Sequence, residues 1–364
     1  MRVGQSSTRI AKSQPVSVKR IVRNALTELG FAEDFRIALH NLRDVSDEQL
    51  IGRVRRIDRG WSTFLCVNVG EVSANTSLHE RKVRNLGADV AVGDWIIVSA
   101  DSERIVTVLP RRSRLVRRAS SEDVRAEAQT IAANLDVIFL VHALNNASNA
   151  RRLERELVLA FDSGASPVVV LTKSDSIEPS EVAAAKANVE SIAMAVPVHV
   201  VSSMTGEGLD ELRTHVRDGA TVAVLGASGV GKSTLVNALT GTNTQETGAI
   251  RLGDNRGRHT TTAVDLVPLP EHGWLIDTPG LRAIGLWTSG RGIERAFADI
   301  FRLAEHCRFR DCKHEHEPSC AVQTAIAAGD VSEARLASMR RLVAEEAALE
   351  RQQQRQQQRQ SRRN

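Results

Sequence analysis

Residues 226–234 read Gly-Ala-Ser-Gly-Val-Gly-Lys-Ser-Thr and fit the pattern G-x-x-x-x-G-K-[ST] of a phosphate-binding loop. The residues before this loop, 221–225, are apolar and β-branched, as expected of a buried parallel strand. After the loop, Leu235, Val236 and Leu239 stand at helical spacing. Strand, glycine-rich loop and helix therefore follow in the order that the motif requires, and the stretch predicts a nucleotide-binding α/β domain.

The glycines of this loop predict how phosphates are held. They let backbone N–H groups curl around phosphate oxygens at a helix N-terminus, which already favours negative charge. Lys232 is expected to reach the terminal phosphates, and the Ser233 hydroxyl is expected to bind Mg²⁺. The predicted nucleotide contacts of the loop are Gly226, Ala227, Ser228, Gly229, Val230, Gly231, Lys232, Ser233 and Thr234.

A second motif predicts which base is bound. The residues that follow the predicted strand 167–171 read Thr-Lys-Ser-Asp and end at Asp175. In guanine-nucleotide proteins this Asp accepts hydrogen bonds from guanine N1–H and N2–H₂, and adenine has no such donor pair. Lys173 is expected to pack over the base, and the end of the next strand to contact guanine O6 through backbone N–H groups. The predicted guanine contacts are Thr172, Lys173, Ser174, Asp175, Ser202 and Ser203.

Two further elements are expected at the γ-phosphate. Asp277-Thr-Pro-Gly280 follows a short apolar strand, so Asp277 is expected to hold a Mg²⁺-bound water and the Gly280 N–H to bind the γ-phosphate. Upstream, residues 257–262 read Gly-Arg-His-Thr-Thr-Thr. We expect Thr261 to complete the Mg²⁺ shell in a loop that orders around the γ-phosphate, with Thr260 and Thr262 as alternatives.

The cysteines indicate metal rather than disulfides. Cys66 stands alone, whereas Cys307, Cys312 and Cys320 lie within fourteen residues of one another, close to His314. Three thiolates and one imidazole form a closed tetrahedral Zn²⁺ site of the structural kind. His306 and His316 are alternative imidazole ligands, and the absence of a disulfide pattern favours a reducing cytosol.

Composition and hydrophobic periodicity predict the domains that surround these motifs. With 364 residues, 42% apolar and 25% charged, two or three soluble domains are expected. No apolar run is long enough for a membrane span, and no secretory signal is visible, so we expect a cytoplasmic protein with no membrane partner. A monomer is the default. Short strands with period two precede the α/β pattern, and the chain turns helical after residue 290.

The predicted fold is an α/β phosphate-loop domain, preceded by a small β-barrel and followed by a helical zinc-binding module. An OB-like barrel fits the number of strands, although other small barrels have the same pattern. The predicted segments are a loose basic arm (1–48), the barrel (49–110), a basic linker (111–128), the α/β domain (129–290), the zinc module (291–350) and an Arg/Gln tail (351–364).

Positive charge is concentrated in three blocks although the net charge is only +4. Residues 1–27 and 351–364 carry basic side chains and no acid, and residues 111–118 read RRSRLVRR. Each block alone is equally compatible with a solvated tail, and the first also with an organelle transit peptide. Together they favour binding to RNA.

The order of the motifs resembles that of the circularly permuted GTPases. Ordinary GTPases begin with the phosphate loop, whereas here residues 172–175 and 202–203 precede it. The strings GASGVGKST and GRHTTT, with a barrel before them and a Cys/His cluster after them, resemble the ribosome small-subunit-dependent GTPases of bacteria over residues 50–350. Position 172 carries Thr where Asn is commonest, which that family tolerates, and residues 1–48 have no clear match.

The resemblance implies the function. We expect a protein that binds GTP and GDP with Mg²⁺, contacts rRNA, and hydrolyses GTP late in small-subunit assembly when stimulated by the subunit. Many GTPases place a water-orienting Gln where this chain has Leu281, so intrinsic hydrolysis is expected to be slow. We expect the ribosome to supply the missing catalytic group, with His259 or another switch residue as alternatives.

Two other functions compete with this interpretation. An RNA-binding assembly factor with a purely structural nucleotide site is expected to lack Lys232, Ser233 or Asp277, and all three are present. An ATP-dependent kinase or transporter-type ATPase is disfavoured by Asp175 and by the absence of a Leu-Ser-Gly-Gly-Gln signature. Gly229 stands where many potassium-activated GTPases carry Asn, which argues against potassium dependence.

Overall fold

The computed structural model describes residues 26–42, 49–67, 78–99, 101, 104–118, 128–145, 149–241, 264–270, 273–277 and 291–361. The strands in these ranges are β1 Leu50–Asp58, β2 Trp61–Val67, β3 Leu78–Arg84, β4 Trp95–Val98, β5 Ile105–Val108, β6 Arg114–Arg118, β7 Ala128–Ala133, β8 Val137–Ala143, β9 Ser166–Thr172, β10 Val198–Val200, β11 Thr221–Gly226, β12 Asp265–Pro268 and β13 Trp274–Asp277. The α-helices are α1 Glu33–His40, α2 Ala150–Ser163, α3 Pro179–Ala193, α4 Leu209–Arg213, α5 Lys232–Thr240, α6 Arg291–Ala296, α7 Ala298–Ala304, α8 Ala321–Ala328 and α9 Glu333–Ser361.

The α/β domain is built on a sheet with the order β10-β9-β8-β11-β13-β12. The first five strands of that order pair in parallel, and β12 runs antiparallel to β13. Strand β11, which leads into the glycine-rich loop, lies at the centre between β8 and β13. Because parallel strands end at the same edge, the carboxyl ends of β9, β11 and β13 lie together there.

Before this domain, strands β1–β5 of the described residues pair with one another in antiparallel fashion. We call them the five-stranded part. Strand β1 pairs with β2 and β4, β2 with β3, and β4 with β5, while a parallel bridge joins Arg84 to Arg104. Their inner side chains form a separate cluster, which consists of Val54, Phe64, Cys66, Val83, Ile96 and Val98. Strand β1 also contacts β12 through the pair Arg56 and Asp265, so the two sheets are continuous.

The N-terminal arm was expected to be loose, and for residues 26–42 that expectation is wrong. Leu29 and Phe35 are buried, and the Phe31 ring meets the Trp95 ring edge-on with 4.6 Å between centroids. Trp274 of β13 donates its indole N–H to the Glu28 carbonyl at 2.7 Å. This segment therefore packs between the five-stranded part and the α/β domain. Residues 1–25 and 43–48 of the predicted arm lie outside the described residues.

Arg53 of β1 joins these parts and is fully buried. Its guanidinium donates to the Leu29 carbonyl at 2.6 Å and to the Thr221 hydroxyl at 2.7 Å. It also donates to the carbonyls of Gly93 and Asn134, each at 3.3 Å. Burial lowers the pKa of Arg53 to about 10, so the group stays charged at neutral pH. One side chain thus ties the N-terminal segment and the five-stranded part to the first residue of β11.

The basic linker predicted for residues 111–128 is also corrected. Arg114–Arg118 forms a strand that pairs with β7, so this stretch is part of a two-stranded sheet. Arg111 donates two hydrogen bonds to the buried Asp94 carboxylate, at 2.8 and 2.7 Å. These hydrogen bonds raise the pKa of Arg111. Arg112 pairs with Asp34 and Asp136 at 3.3 and 3.2 Å. Two arginines of the block are therefore occupied within the protein.

The helices after residue 290 dock on α2 of the α/β domain. Arg155 of α2 forms a two-point ion pair with Glu345 of α9, at 2.7 and 2.8 Å. The Gly292 N–H donates to Asp162 at 2.7 Å, where a Cβ at position 292 would lie 2.5 Å from that carboxyl group. Helix α9 runs to Ser361, beyond the boundary predicted at residue 350 between the zinc module and the Arg/Gln tail. No helix in the described ranges has the length and apolar content of a membrane span.

Candidate nucleotide-binding and metal sites

The glycine-rich loop connects β11 to α5 at the carboxyl edge of the central sheet. Gly226 has φ +156°, and a Cβ there would lie 2.4 Å from the Val141 carbonyl oxygen of β8. Gly231 has φ +91° and precedes the first turn of α5. Only glycine fits both conditions without strain, so the sequence allows the backbone to fold tightly over the end of β8.

Lys232 places its ammonium group over the inside of this loop. Its Nζ donates to the Gly226 carbonyl at 3.0 Å and also bonds to the Ala227 carbonyl. Ser233 and Thr234 follow in the first turn of α5 and are half-buried. A cation, a helix N-terminus and a ring of backbone N–H groups therefore converge, which is the composition of a polyphosphate site.

The predicted base-recognition loop is bonded directly to the phosphate loop. The Thr172 hydroxyl lies 2.6 Å from the Val230 carbonyl and 3.2 Å from the His142 carbonyl. Lys173, held in the left-handed region at φ 64°, donates its ammonium to the Gly229 carbonyl at 2.9 Å. The two motifs, more than fifty residues apart in the chain, thus form one structural unit.

Asp175 lies at the exposed rim of this unit and is held by Ser202. The buried Ser202 hydroxyl donates to Asp175 Oδ1 at 2.6 Å, and it accepts the N–H groups of Met204 and Thr205 at 3.3 and 3.1 Å. The hydrogen bond from Ser202 lowers the pKa of the Asp175 carboxyl group. The group is therefore ionised at neutral pH and is oriented to accept hydrogen bonds from a base.

Replacing Thr172 with Val is expected to weaken GDP and GTP binding by about tenfold. Valine has nearly the same shape but no hydroxyl, so the Val230 carbonyl loses its 2.6 Å bond, at a cost of about 1–3 kcal/mol for a buried acceptor. Equilibrium titration with a fluorescent guanine nucleotide measures the change. Thr172→Ser, which keeps the hydroxyl, is the matched control and is expected to bind within about threefold of the parent chain. Unchanged affinity of the Val variant would contradict this role.

The remaining predicted γ-phosphate residues are only partly described. Asp277 ends β13, beside the strand that leads into the glycine-rich loop and at the same edge of the sheet. Thr261, with its alternatives Thr260 and Thr262, lies outside the described residues. The same holds for Gly280, His259 and Leu281. Of the predicted catalytic set, the structure therefore locates Lys232 and Asp277.

Two features at the carboxyl edge of the central sheet were not predicted from the sequence. The role of the Ser202 side chain was not foreseen, because only its backbone N–H was assigned to the base. His142 lies near the end of β8, and its Nε2 atom is 2.8 Å from Oε2 of Glu156 in α2. The other oxygen of the same carboxylate, Oε1, is 2.8 Å from Nε of Arg152. A polar residue within the apolar run 137–143 was the available signal for His142.

A second site brings together Cys307, Cys312, His314 and Cys320, whose ligand atoms all lie within 4.8 Å of one another. Cys307 Sγ is 3.8 Å from Cys320 Sγ and 3.6 Å from His314 Nδ1. Cys320 Sγ is 3.4 Å from the same nitrogen. A tetrahedral Zn²⁺ with Zn–S bonds of about 2.3 Å requires sulfur atoms about 3.8 Å apart, so the donor set fits that ion.

The loop that carries these ligands is organised by Glu317. Its carboxylate accepts the N–H groups of Lys313 at 2.7 Å and Glu315 at 2.8 Å, and these bonds help to lower the pKa of Glu317 to about 2. His314 adopts a left-handed φ of 59° within the turn. The cluster uses His314, whereas the alternative histidines, 306 and 316, are not among its members in the described part of the chain.

Comparisons with known proteins agree with this arrangement. A family model described as RsgA GTPase matches residues 108–287. The protein named small ribosomal subunit biogenesis GTPase RsgA from Streptomyces coelicolor is 45% identical over 302 residues, which cover 81% of this chain and 80% of that protein. RsgA 2 from Vibrio parahaemolyticus is 40% identical over 324 residues, with 89% and 86% covered.

Two solved structures are similar in fold. YjeQ from Thermotoga maritima superposes with a TM-score of 0.59 at 24% identity, covering 82% of this chain and 99% of that one. YloQ, described as a circularly permuted GTPase, gives a TM-score of 0.60 at 21% identity, covering 84% and 98%. The strand order around β11 is thus that of a circularly permuted GTPase fold.

Proposed function

The chain belongs to the RsgA GTPase family, and we propose that it acts as a late assembly factor of the small ribosomal subunit, hydrolysing GTP when the subunit stimulates it. The relatives named above carry small-subunit biogenesis in their names. The observation that carries the proposal is the direct bonding of the Thr172–Asp175 loop to the phosphate loop through Thr172 and Lys173. A guanine acceptor and a polyphosphate cradle are thereby held in one site.

We assign the residue roles as follows. Residues 226–234 bind the phosphates, Asp175 accepts the guanine N–H donors, and the backbone at 202–203 contacts guanine O6. Lys232 neutralises charge that develops on the terminal phosphates. Ser233 and Thr261 would hold Mg²⁺, which would supply further charge neutralisation when it is bound. Asp277 and Gly280 position the groups around the γ-phosphate, and the reaction consumes one water molecule and yields GDP and phosphate.

The timing of hydrolysis depends on position 281. Leucine there has no hydrogen-bonding group to orient the attacking water, so the isolated chain is expected to hydrolyse GTP slowly. We propose that the small subunit supplies the missing group, which makes hydrolysis conditional on docking. His259 is the alternative source of that group within the chain.

The flanking parts supply the contacts with rRNA. We assign an OB-like barrel to strands β1–β5, because their pairing closes into a circuit through the Arg84–Arg104 bridge and encloses its own apolar cluster. We assign one structural Zn²⁺ to Cys307, Cys312, His314 and Cys320, since the ligand distances fit a closed tetrahedral site. We propose that the protein acts as a cytoplasmic monomer without a membrane partner.

Phosphate release from GTP and ATP, measured with and without purified small subunits, tests the proposal. Slow hydrolysis of GTP by the protein alone is expected, with an increase of at least roughly tenfold on adding small subunits, as GTPases respond to a partner that completes their site. Large subunits are the matched control and are expected to give no increase. Equal rates on both nucleotides would refute guanine specificity. Binding to the subunit without any hydrolysis would favour an RNA-binding factor with a structural nucleotide site.

A further inference from the structure

Arg55 of β1 is the extra residue of a β-bulge in the five-stranded part. Val54 and Arg56 lie opposite consecutive residues of β2, so the register shifts and Arg55 is inserted between them. A bulge of this kind redirects the side chain that it carries. Arg55 is accordingly half-buried, whereas Arg56 beside it is exposed.

The guanidinium group of Arg55 pairs with carboxylates from two different parts of the protein. Its Nε donates to Oδ1 of Asp265 in β12 at 3.1 Å, and its Nη1 pairs with Glu80 of β3. The three side chains are partly exposed, so these ion pairs add little to the stability of the fold. Arg55 therefore joins the five-stranded part to the first residue of β12 without being part of the core.

Asp265 lies directly opposite Asp277 in the antiparallel pair of β12 and β13. Residues opposed in this way place their side chains on one face of the sheet, with Cβ atoms about 4.5–5.5 Å apart, and like charges there repel each other. Asp277 is the residue that the proposed function places beside the γ-phosphate. In the part of the chain that the structure describes, Arg55 is the basic side chain paired with Asp265, so it offsets the negative charge next to Asp277.

The charge of this ion pair affects GTP and GDP differently. Without Arg55, the Asp265 carboxylate would lose the cation that offsets it and would repel Asp277 across the β12–β13 pair. That repulsion displaces Asp277, and it adds negative potential where GTP carries its γ-phosphate. GDP has no phosphate group at this place, so its binding depends much less on the pair.

We propose that Arg55 is a positioning residue for GTP hydrolysis, which acts through Asp265 to keep Asp277 in place beside the γ-phosphate. This inference rests on the proposed function, and it adds a contact through which the five-stranded part reaches the γ-phosphate site. Because Glu80 holds the other side of the guanidinium group, the position of β3 also helps to determine where Arg55 lies.

The full-length parent chain, Arg55→Gln, Asp265→Asn and the double variant R55Q/D265N together test the proposal. We expect Arg55→Gln to bind a non-hydrolysable GTP analogue with Mg²⁺ about fivefold more weakly, and to hydrolyse GTP about fivefold more slowly at saturating small subunits, as one added like-charge pair predicts. Its affinity for GDP is expected to stay within about twofold of the parent value. The double variant lacks the repelling carboxylate, so it and Asp265→Asn are expected to match the parent chain within about twofold in both measurements.

Arg56→Gln is the matched control, because it removes the same charge from the neighbouring residue, whose guanidinium group pairs with Asp58 of β1. It is expected to leave the analogue affinity and the rate at saturating subunits unchanged. Parental behaviour of Arg55→Gln would overturn the proposal. A loss that Asp265→Asn does not restore would overturn it too, because Arg55 would then act on RNA or on folding directly. If small subunits fail to stimulate the parent chain, the proposed function is refuted, whereas analogue binding by the four proteins still tests the role of Arg55.

Discussion

Replacing Asp175 with Asn is expected to weaken GTP binding by roughly 10²–10⁴-fold and to raise the affinity for xanthosine triphosphate in return. The carboxylate is held at Oδ1 by the Ser202 hydroxyl at 2.6 Å and is ionised, so it presents acceptors to the base. Guanine offers two donors at N1 and N2, which a carboxylate satisfies and an amide NH₂ group opposes.

The same geometry predicts the gain for xanthosine triphosphate. The Ser202 hydroxyl already accepts the N–H groups of Met204 and Thr205, so only its proton is left to bond residue 175. The Asn oxygen is therefore expected to face Ser202, and the amide NH₂ group to face the base. Xanthine carries a carbonyl at C2 where guanine carries its amino group, and that carbonyl accepts the amide hydrogen bond. The altered specificity therefore follows from a fixed side chain and one exchanged donor.

Competition binding with the two nucleotides measures this effect. Asp330→Asn, at an exposed position after α8, is the matched control and is expected to bind GTP as the parent chain does. The phosphate contacts are unchanged in Asp175→Asn, so slow hydrolysis of xanthosine triphosphate is expected to persist. If Asp175→Asn bound GTP with parental affinity, the assignment of Asp175 to base recognition would be wrong.

The nucleotide site was predictable from sequence to the extent that its chemistry is local. The glycine-rich loop requires glycine where the backbone crosses the end of β8, and this requirement is visible as the motif itself. The order of the motifs along the chain also predicted a circularly permuted GTPase fold, which the similar solved structure YloQ has. A local backbone requirement of this kind is met by residue types within a short stretch, so it can be recognised as a motif in a single sequence.

Contacts between distant segments could not be predicted in the same way. Arg53 sits in a basic, alternating stretch that reads as solvent-exposed, yet it is buried because the Thr221 hydroxyl and three backbone carbonyls, one of them from Leu29, surround it. The block 111–118 read as a free basic linker, but Arg111 neutralises the buried Asp94. Charge in the sequence does not say which arginines face a partner and which are used within the fold.

The helices that carry the Cys/His cluster follow closely in the chain after β13, at whose end we propose that the γ-phosphate binds. Residues 278–290 are all that separates Asp277 at the end of β13 from α6, and α6 begins with the Gly292 contact to Asp162 of α2. Arg335 of α9 donates to Asp299 of α7 at 2.7 and 2.8 Å and to the Ala296 carbonyl of α6 at 2.9 Å. Buried side chains of all four helices α6–α9 belong to one apolar cluster, so these helices pack together. We therefore expect the integrity of this group of helices to affect how the subunit stimulates hydrolysis.

Replacing Cys320 with Ser is expected to lower zinc affinity at least about a hundredfold and to reduce subunit stimulation by roughly tenfold or more. Cys320 also precedes α8, where its Sγ accepts the Gln323 N–H at 3.4 Å, and serine is a favourable residue at such a position. The variant thus removes a metal ligand while it keeps the start of the helix. Loss of the ion is expected to lower the melting temperature of the module, because its small core depends on the metal for stability.

Three measurements on the same preparation decide the outcome: zinc content, thermal unfolding, and the ratio of hydrolysis rates with and without small subunits. Cys66→Ser is the matched control, since Cys66 is a buried thiol outside the cluster whose weak bond to the His79 carbonyl a serine can also make. It is expected to keep one zinc per chain and full stimulation. A Cys320→Ser protein that stays folded, lacks zinc and is still fully stimulated would disprove the coupling, because the ligand cluster would then stabilise the module without influencing the switch.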